Sequence, residues 1–204
     1  TCTQCSGAVY SAGGTATSCS SCPAQTTGWT RATGNGWSAV TQCYETQTPT
    51  NCYSGTKTKT AKSDGTWNTA TNNLTAKGGY KVSGTGDDAT CSACGNGYYS
   101  ANGNDNTCDA CPDATSSNWT VATTSTTATG YSACYETRAA TNISSYCDSG
   151  VLKKTAASAT TWNTATASTA FNAKAGSIVS GSGDNLTCTQ CSGAVYSAGG
   201  TATS

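Results

Sequence analysis

Residues 91–112 read CSACGNGYYSANGNDNTCDACP: two Cys-x-x-Cys pairs separated by thirteen residues, a Tyr-Ser near the middle and a Pro after the last Cys. The same frame opens the chain at Cys2, Cys5, Cys19, Cys22 and Pro23, and begins a third time at Cys188 and Cys191. Most residues between these cysteines vary while the cysteine spacing does not. Such a pattern means that the cysteines, rather than the residues between them, hold the structure.

Composition supports this. The 204-residue chain has 14 cysteines, no His and no Met, and Lys+Arg balances Asp+Glu at 10 each. Thr and Ser make up about a third of it, and only 35% is hydrophobic. So little apolar area cannot offset the ordering entropy of the chain, and covalent cross-links are the usual remedy. Regular cysteines in a Thr/Ser/Asn/Gly-rich background point to an oxidising, extracellular or cell-surface location. Four Asn-x-Ser/Thr sequons, at Asn73, Asn118, Asn142 and Asn185, fit glycosylation there. Zero formal charge gives no basis for nucleic-acid binding. No apolar run approaches the roughly 20 residues that span a bilayer. Membrane attachment is therefore expected only through an anchor outside this stretch.

The chain repeats itself at two levels. Residues 1–18 recur unchanged at 187–204, a period of 186. Within that period Cys2, 5, 19, 22, 43 and 52 correspond to Cys91, 94, 108, 111, 134 and 147. Residues 1–18 and 90–107 agree at only 7 of 18 positions, so the inner repeat is older than the outer. The expected organisation is a cysteine-rich module at 1–90, a second at 91–187, and the start of another repeat at 188–204. The expected fold is small disulfide-rich modules, mostly β and irregular with little helix, in an elongated tandem-repeat rod or filament.

Each module carries the same landmarks. Cys-Tyr-Glu-Thr stands at 43–46 and 134–137, Thr-Trp-Asn-Thr-Ala-Thr at 66–71 and 161–166, and Val-Ser-Gly-x-Gly-Asp at 82–87 and 179–184. The alternation at 57–62, KTKTAK, predicts an exposed strand. The last motif predicts a short strand running into a Gly turn. The Ala-rich stretch 164–175 has too much Thr for a good helix.

Three chemistries suit the Cys-x-x-Cys frames. A four-thiolate zinc site falls just outside the usual ribbon spacing and leaves two cysteines per module unexplained. A redox pair needs a helix N-terminus or a cation to activate it, and no βαβ pattern surrounds these. Structural disulfides are preferred, with no metal and no cofactor. The expected pairing is interlocked: Cys2–Cys19, Cys5–Cys22, Cys91–Cys108 and Cys94–Cys111, with Cys43–Cys52 and Cys134–Cys147 taking the remainder. Cys188 and Cys191 would then bridge between repeats. Fifteen pairings of six cysteines remain open at this level.

The frame at 91–112 resembles furin-like and growth-factor-receptor cysteine-rich repeats, which use the interlocked pairing. The whole chain resembles more closely the ciliate surface immobilisation antigens, through its composition, its cysteine period and the matching CSSCPAQT at 19–26 and CDACPDAT at 108–115. That resemblance implies a secreted, abundant, usually lipid-anchored surface protein.

The expected function is therefore non-enzymatic: an extracellular structural or surface-coat protein whose partners are copies of itself and attached glycans. The alternative is an adhesin or carbohydrate-binding ectodomain, with Trp29, Trp37, Trp67, Trp119 and Trp162 as candidate sugar platforms against a plain core role. Against catalysis stand the absence of His and of a nucleophile motif; Glu45 and Glu136, the two glutamates, sit in duplicate contexts rather than one site. Asp87-Asp88, Asn104-Asp105 and Asp184-Asn185 lie in Gly/Asn loops without EF-hand spacing, and turn usage is expected of them.

Overall fold

A computed structural model describes the chain except residues 1–4, 6–8, 12–14, 16, 32–42, 63–64, 102–106 and 194. Cys2, Trp37, Asn104 and Asp105 lie outside the described residues. Among those described, secondary structure is short strands and single turns of 3-10 helix, with no α-helix. The small-module, mostly β and irregular fold class read from the sequence is the one found. The Ala-rich stretch forms the strand Thr166–Ala173.

The backbone divides into two compact units, residues 1–92 with 102–107, and residues 93–101 with 108–204. Each is built on a four-stranded antiparallel meander. In the first the order is Thr30–Arg31, Tyr44–Gln47, Lys57–Thr60, Thr71–Asn72. In the second it is Thr120–Thr123, Cys134–Ala139, Cys147–Thr155, Thr166–Ala173. Cys-Tyr-Glu-Thr forms the second strand both times. Its alternation turns Cys and Glu inward and Tyr and Thr outward: Cys43, Glu45, Cys134 and Glu136 are all buried.

KTKT is a strand, as expected, but it is not exposed. Lys57 and Lys59 are its buried face, each 6% exposed. Period-2 alternation marks two faces; it does not say which is inner when both are polar. The face here is decided by what lies beneath it, an indole ring and two carboxylates.

The apolar core of the second unit gathers Trp119, Leu152, Phe171, Val179 and the Cys147 and Cys188 sulfurs, with Ile143 and Leu186 packed against them. A second cluster joins Tyr99, Cys111, Ala128, Cys134 and Ala156. Cystines form part of both, so cross-link and core are the same material.

Among the described residues six disulfides are present: Cys5–Cys19, Cys22–Cys43, Cys52–Cys91, Cys94–Cys108, Cys111–Cys134 and Cys147–Cys188. The interlocked pairing is therefore wrong. Cys5 bonds Cys19 and not Cys22; Cys94 bonds Cys108 and not Cys111; Cys91 bonds backward to Cys52 and not to Cys108. Cys43–Cys52 and Cys134–Cys147 are not formed either, and Cys188 bonds Cys147 inside the chain rather than a neighbouring repeat. Every bridge joins a cysteine to the next one along, so no two loops overlap.

The reason is the extended backbone of the Cys-x-x-Cys segments. Cys91 lies in the strand Thr90–Ala93 with Cys94 just beyond it, and Cys108 and Cys111 flank the strand Asp109–Ala110. Positions three apart on a strand point to opposite faces. One sulfur of each pair is turned back toward the preceding cysteine and the other forward. The matching bridges of the two units close 14 and 14, 21 and 23, and 39 and 41 residues. On loop-entropy grounds each contributes ~3 kcal/mol for the shortest loops and ~4 kcal/mol for the longest.

Candidate functional site

The three landmark motifs meet in each unit at one buried polar cluster. In the second unit Glu136 and Lys154 are direct cross-strand partners. Lys154 Nζ lies 3.6 Å from Glu136 Oε1, 3.4 Å from Asp184 Oδ2 and 4.7 Å from the centroid of the Trp119 ring. It also donates to Thr115 Oγ1 at 3.0 Å. The Thr115 backbone N–H donates to Glu136 Oε2 at 2.9 Å, and its hydroxyl bonds Glu136 Oε1. Glu136 is fully buried and Lys154 is 5% exposed.

The first unit repeats the arrangement. Glu45 and Lys59 are cross-strand partners, with Nζ 4.0 Å from Oε1. Lys59 Nζ is 2.9 Å from Asp87 Oδ2 and 4.4 Å from the centroid of the Trp29 ring. The Thr26 N–H donates to Glu45 Oε2 at 3.0 Å. Burial raises the Asp87 carboxyl, but the Lys59 ammonium, the Ala70 N–H and the charge of Lys57 together hold it below its usual value. The ammonium is thus bracketed by two carboxylates and an aromatic face, a geometry that compensates a buried cation.

Val-Ser-Gly-x-Gly-Asp delivers the aspartate. Gly84 and Gly181 adopt φ of +76° and +80°, and a Cβ on either would fall 2.5 Å from Asp88 O or 2.2 Å from Asn185 O. Only glycine allows that turn. It leads into the 3-10 segments Gly86–Asp88 and Gly183–Asn185, whose aspartates accept from the Ala70 and Ala165 N–H at 2.8 and 2.7 Å.

Thr-Trp-Asn-Thr-Ala-Thr closes the cluster from outside. The Trp67 and Trp162 indoles donate to Ala24 O and Asp113 O, both at 2.8 Å. These carbonyls follow the Cys-Pro of each frame, so the spacer is pinned to the frame at matching places. Trp29 and Trp119 are each 6% exposed beneath an ammonium. The four described tryptophans therefore have partners inside the fold: Trp29 and Trp119 are buried, whereas Trp67 and Trp162 are half-buried and held by their indole N–H.

The other candidate residues are placed as follows. Asn73, Asn118, Asn142 and Asn185 are all exposed. Asp87 and Asp184 are committed to lysines and backbone N–H groups, and among the described residues no group of three His, Cys, Asp or Glu is arranged to hold a metal ion. Cys191 is the free cysteine among the described residues. What sequence reading missed is the lysines. Their signal was present: Lys59 and Lys154 stand 14 and 18 residues after Glu45 and Glu136, in strands that follow Cys-Tyr-Glu-Thr.

This geometry defines a cysteine-rich, disulfide-stapled domain of the extracellular type. A family profile described as tyrosine-protein kinase ephrin type A/B receptor-like matches residues 79–134, just over a quarter of the chain. The matched stretch holds the Cys94–Cys108 and Cys111–Cys134 bridges and fits a growth-factor-receptor-like cysteine-rich module, a non-catalytic ectodomain type. No curated protein and no solved structure matches the chain. No helix among the described residues is long and apolar enough to cross a membrane.

Proposed function

We propose that this is a non-enzymatic extracellular structural protein, a surface-coat material built of disulfide-stapled repeats that associate with copies of themselves in an extended array. The observation that carries this reading is the series of bridges. The first cysteine of each frame bonds back to the cysteine before it, as in Cys52–Cys91 within the first unit and Cys147–Cys188 within the second, and the second cysteine bonds forward, as in Cys5–Cys19 and Cys94–Cys108. Cys191 is equivalent to Cys5 and Cys94, and its sulfur is free. In this reading the equivalent of Cys19 in a following repeat, whether of the same chain or of a neighbouring copy, completes the third frame. The ciliate surface antigens that the chain resembles belong to the same functional class, and the four exposed sequons would carry its glycans.

The experiment is electrophoresis of the oxidised chain without reductant. The coat reading expects disulfide-linked multimers, beginning with a dimer that Cys191→Ser abolishes, and assembly that grows with concentration by sedimentation. A chain that runs as one band, and stays monomeric by sedimentation at high concentration, contradicts it. A second reading, a receptor-like ectodomain that binds a ligand, is favoured by the family match at 79–134. A monomer that binds its ligand with Cys191 replaced would favour it over the coat.

A further inference from the structure

The two units differ at one place in a way that makes a cavity. In the second, Leu152 is fully buried in the core, and Ile143 and Leu186 pack against the same cluster. In the first unit Lys57 takes the place of Leu152, two residues before the network lysine. Ala89 takes the place of Leu186, two residues after the network aspartate. The segment 143–146 has no counterpart between Asn51 and Cys52. Three apolar plugs are thus gone together, and an open cleft of about 640 Å³ stands there.

Its lining is polar. Thr30, Thr46, Thr48, Thr50 and Thr90 bring hydroxyls and Gln47 an amide, with Lys57 and Ala89 also in the wall and the exposed Asp88 at the edge. Lys57 is 94% buried yet forms no ion pair with a carboxylate among the described residues. Its ammonium donates to the Asp87 carbonyl at 2.6 Å and lies 5.1 Å from the Trp29 centroid. Asp87's own carboxylate is engaged by Lys59. A buried cation whose direct contacts are a carbonyl and a ring face, and which shares the nearby Asp87 carboxylate with Lys59, has capacity left for an anion.

We infer that this cleft is a binding site for a small acidic sugar, its carboxylate received by Lys57 and its hydroxyls by the threonine and glutamine walls. The volume suits a ligand of one or two sugar rings, and a wall of hydroxyls with few apolar groups matches a polyol. The site does not depend on whether copies of the chain associate, and its test reads binding alone.

The oxidised chain is titrated calorimetrically with sodium glucuronate, N-acetylneuraminate, glucose and sodium acetate. The expected result is saturable binding of one or both acidic sugars, with glucose at least about tenfold weaker through the loss of one charge-assisted hydrogen bond, and acetate at least about tenfold weaker through the loss of the hydroxyl contacts. Lys57→Leu combined with Ala89→Leu installs two of the second unit's plugs and is expected to abolish binding. Lys57→Gln, which keeps the cleft open, is expected to erase the preference for the acid. The inference is overturned if no acidic sugar binds, if glucose or acetate binds equally well, or if Lys57→Gln leaves the preference intact.

Discussion

Glu136 and Lys154 face each other across adjacent strands, with Nζ 3.6 Å from Oε1 and both side chains sealed from solvent. A domain with few apolar side chains has here used a charged pair as core. Replacing Lys154 with Met leaves Glu136 buried without its cation, and is expected to destabilise the second unit by ~3–5 kcal/mol. Combined with Glu136→Gln, which keeps the acceptor for the Thr115 N–H, the cost should shrink by more than half. A double-mutant cycle in denaturant on the oxidised chain measures both.

The first unit carries a titratable counterpart. Asp87 is held below its ordinary value in the folded chain, so its ionised form contributes stability that is complete above the unfolded value and lost as pH falls through the folded one. Unfolding followed from pH 6 down to pH 2 should show a stability loss beginning below about pH 4 that is smaller in Asp87→Asn. Asp87 is half exposed, so the difference between the two chains is expected to be modest.

Trp162→Phe removes the indole N–H that bonds Asp113 O and keeps most of the ring. The expected cost is ~1 kcal/mol, with Trp67→Phe costing a similar amount through Ala24 O. Neither change should alter sugar binding, because neither ring lines the cleft. Thermal unfolding and the titration above check the two halves of this statement.

Gly181→Ala places a Cβ 2.2 Å from Asn185 O at a left-handed φ. It is expected to cost roughly 2 kcal/mol or more and to loosen Asp184 from Lys154. Gly176, at φ +82° with nothing within 4 Å of its Cβ, is the control. Gly176→Ala should cost only about 1 kcal/mol, from backbone strain alone.

Much of this was legible in the sequence. Cysteine period, turn residues and β-branched threonines announced short strands held by sulfur. The duplicated Cys-Tyr-Glu-Thr, Thr-Trp-Asn-Thr-Ala-Thr and Val-Ser-Gly-x-Gly-Asp marked the parts that meet at each buried cluster. The direction of side chains was not legible. Lys57 and Lys59 alternate with threonines that are as polar as they are, so the inner face is fixed only once Trp29 lies beneath it. The bridges hid for a related reason. Spacing shows that Cys91 and Cys94 belong together, whereas their sulfurs diverge because three positions of extended chain turn them to opposite faces.

The sequential cross-linking is tested most directly by partial reduction of the native chain, alkylation, and mass mapping of the cystine-linked peptides. The expected links are Cys94–Cys108, Cys111–Cys134 and Cys147–Cys188, with Cys5–Cys19, Cys22–Cys43 and Cys52–Cys91 matching them in the first unit. Recovery of Cys91–Cys108 together with Cys94–Cys111, or of free thiols at these positions in the native protein, would contradict it.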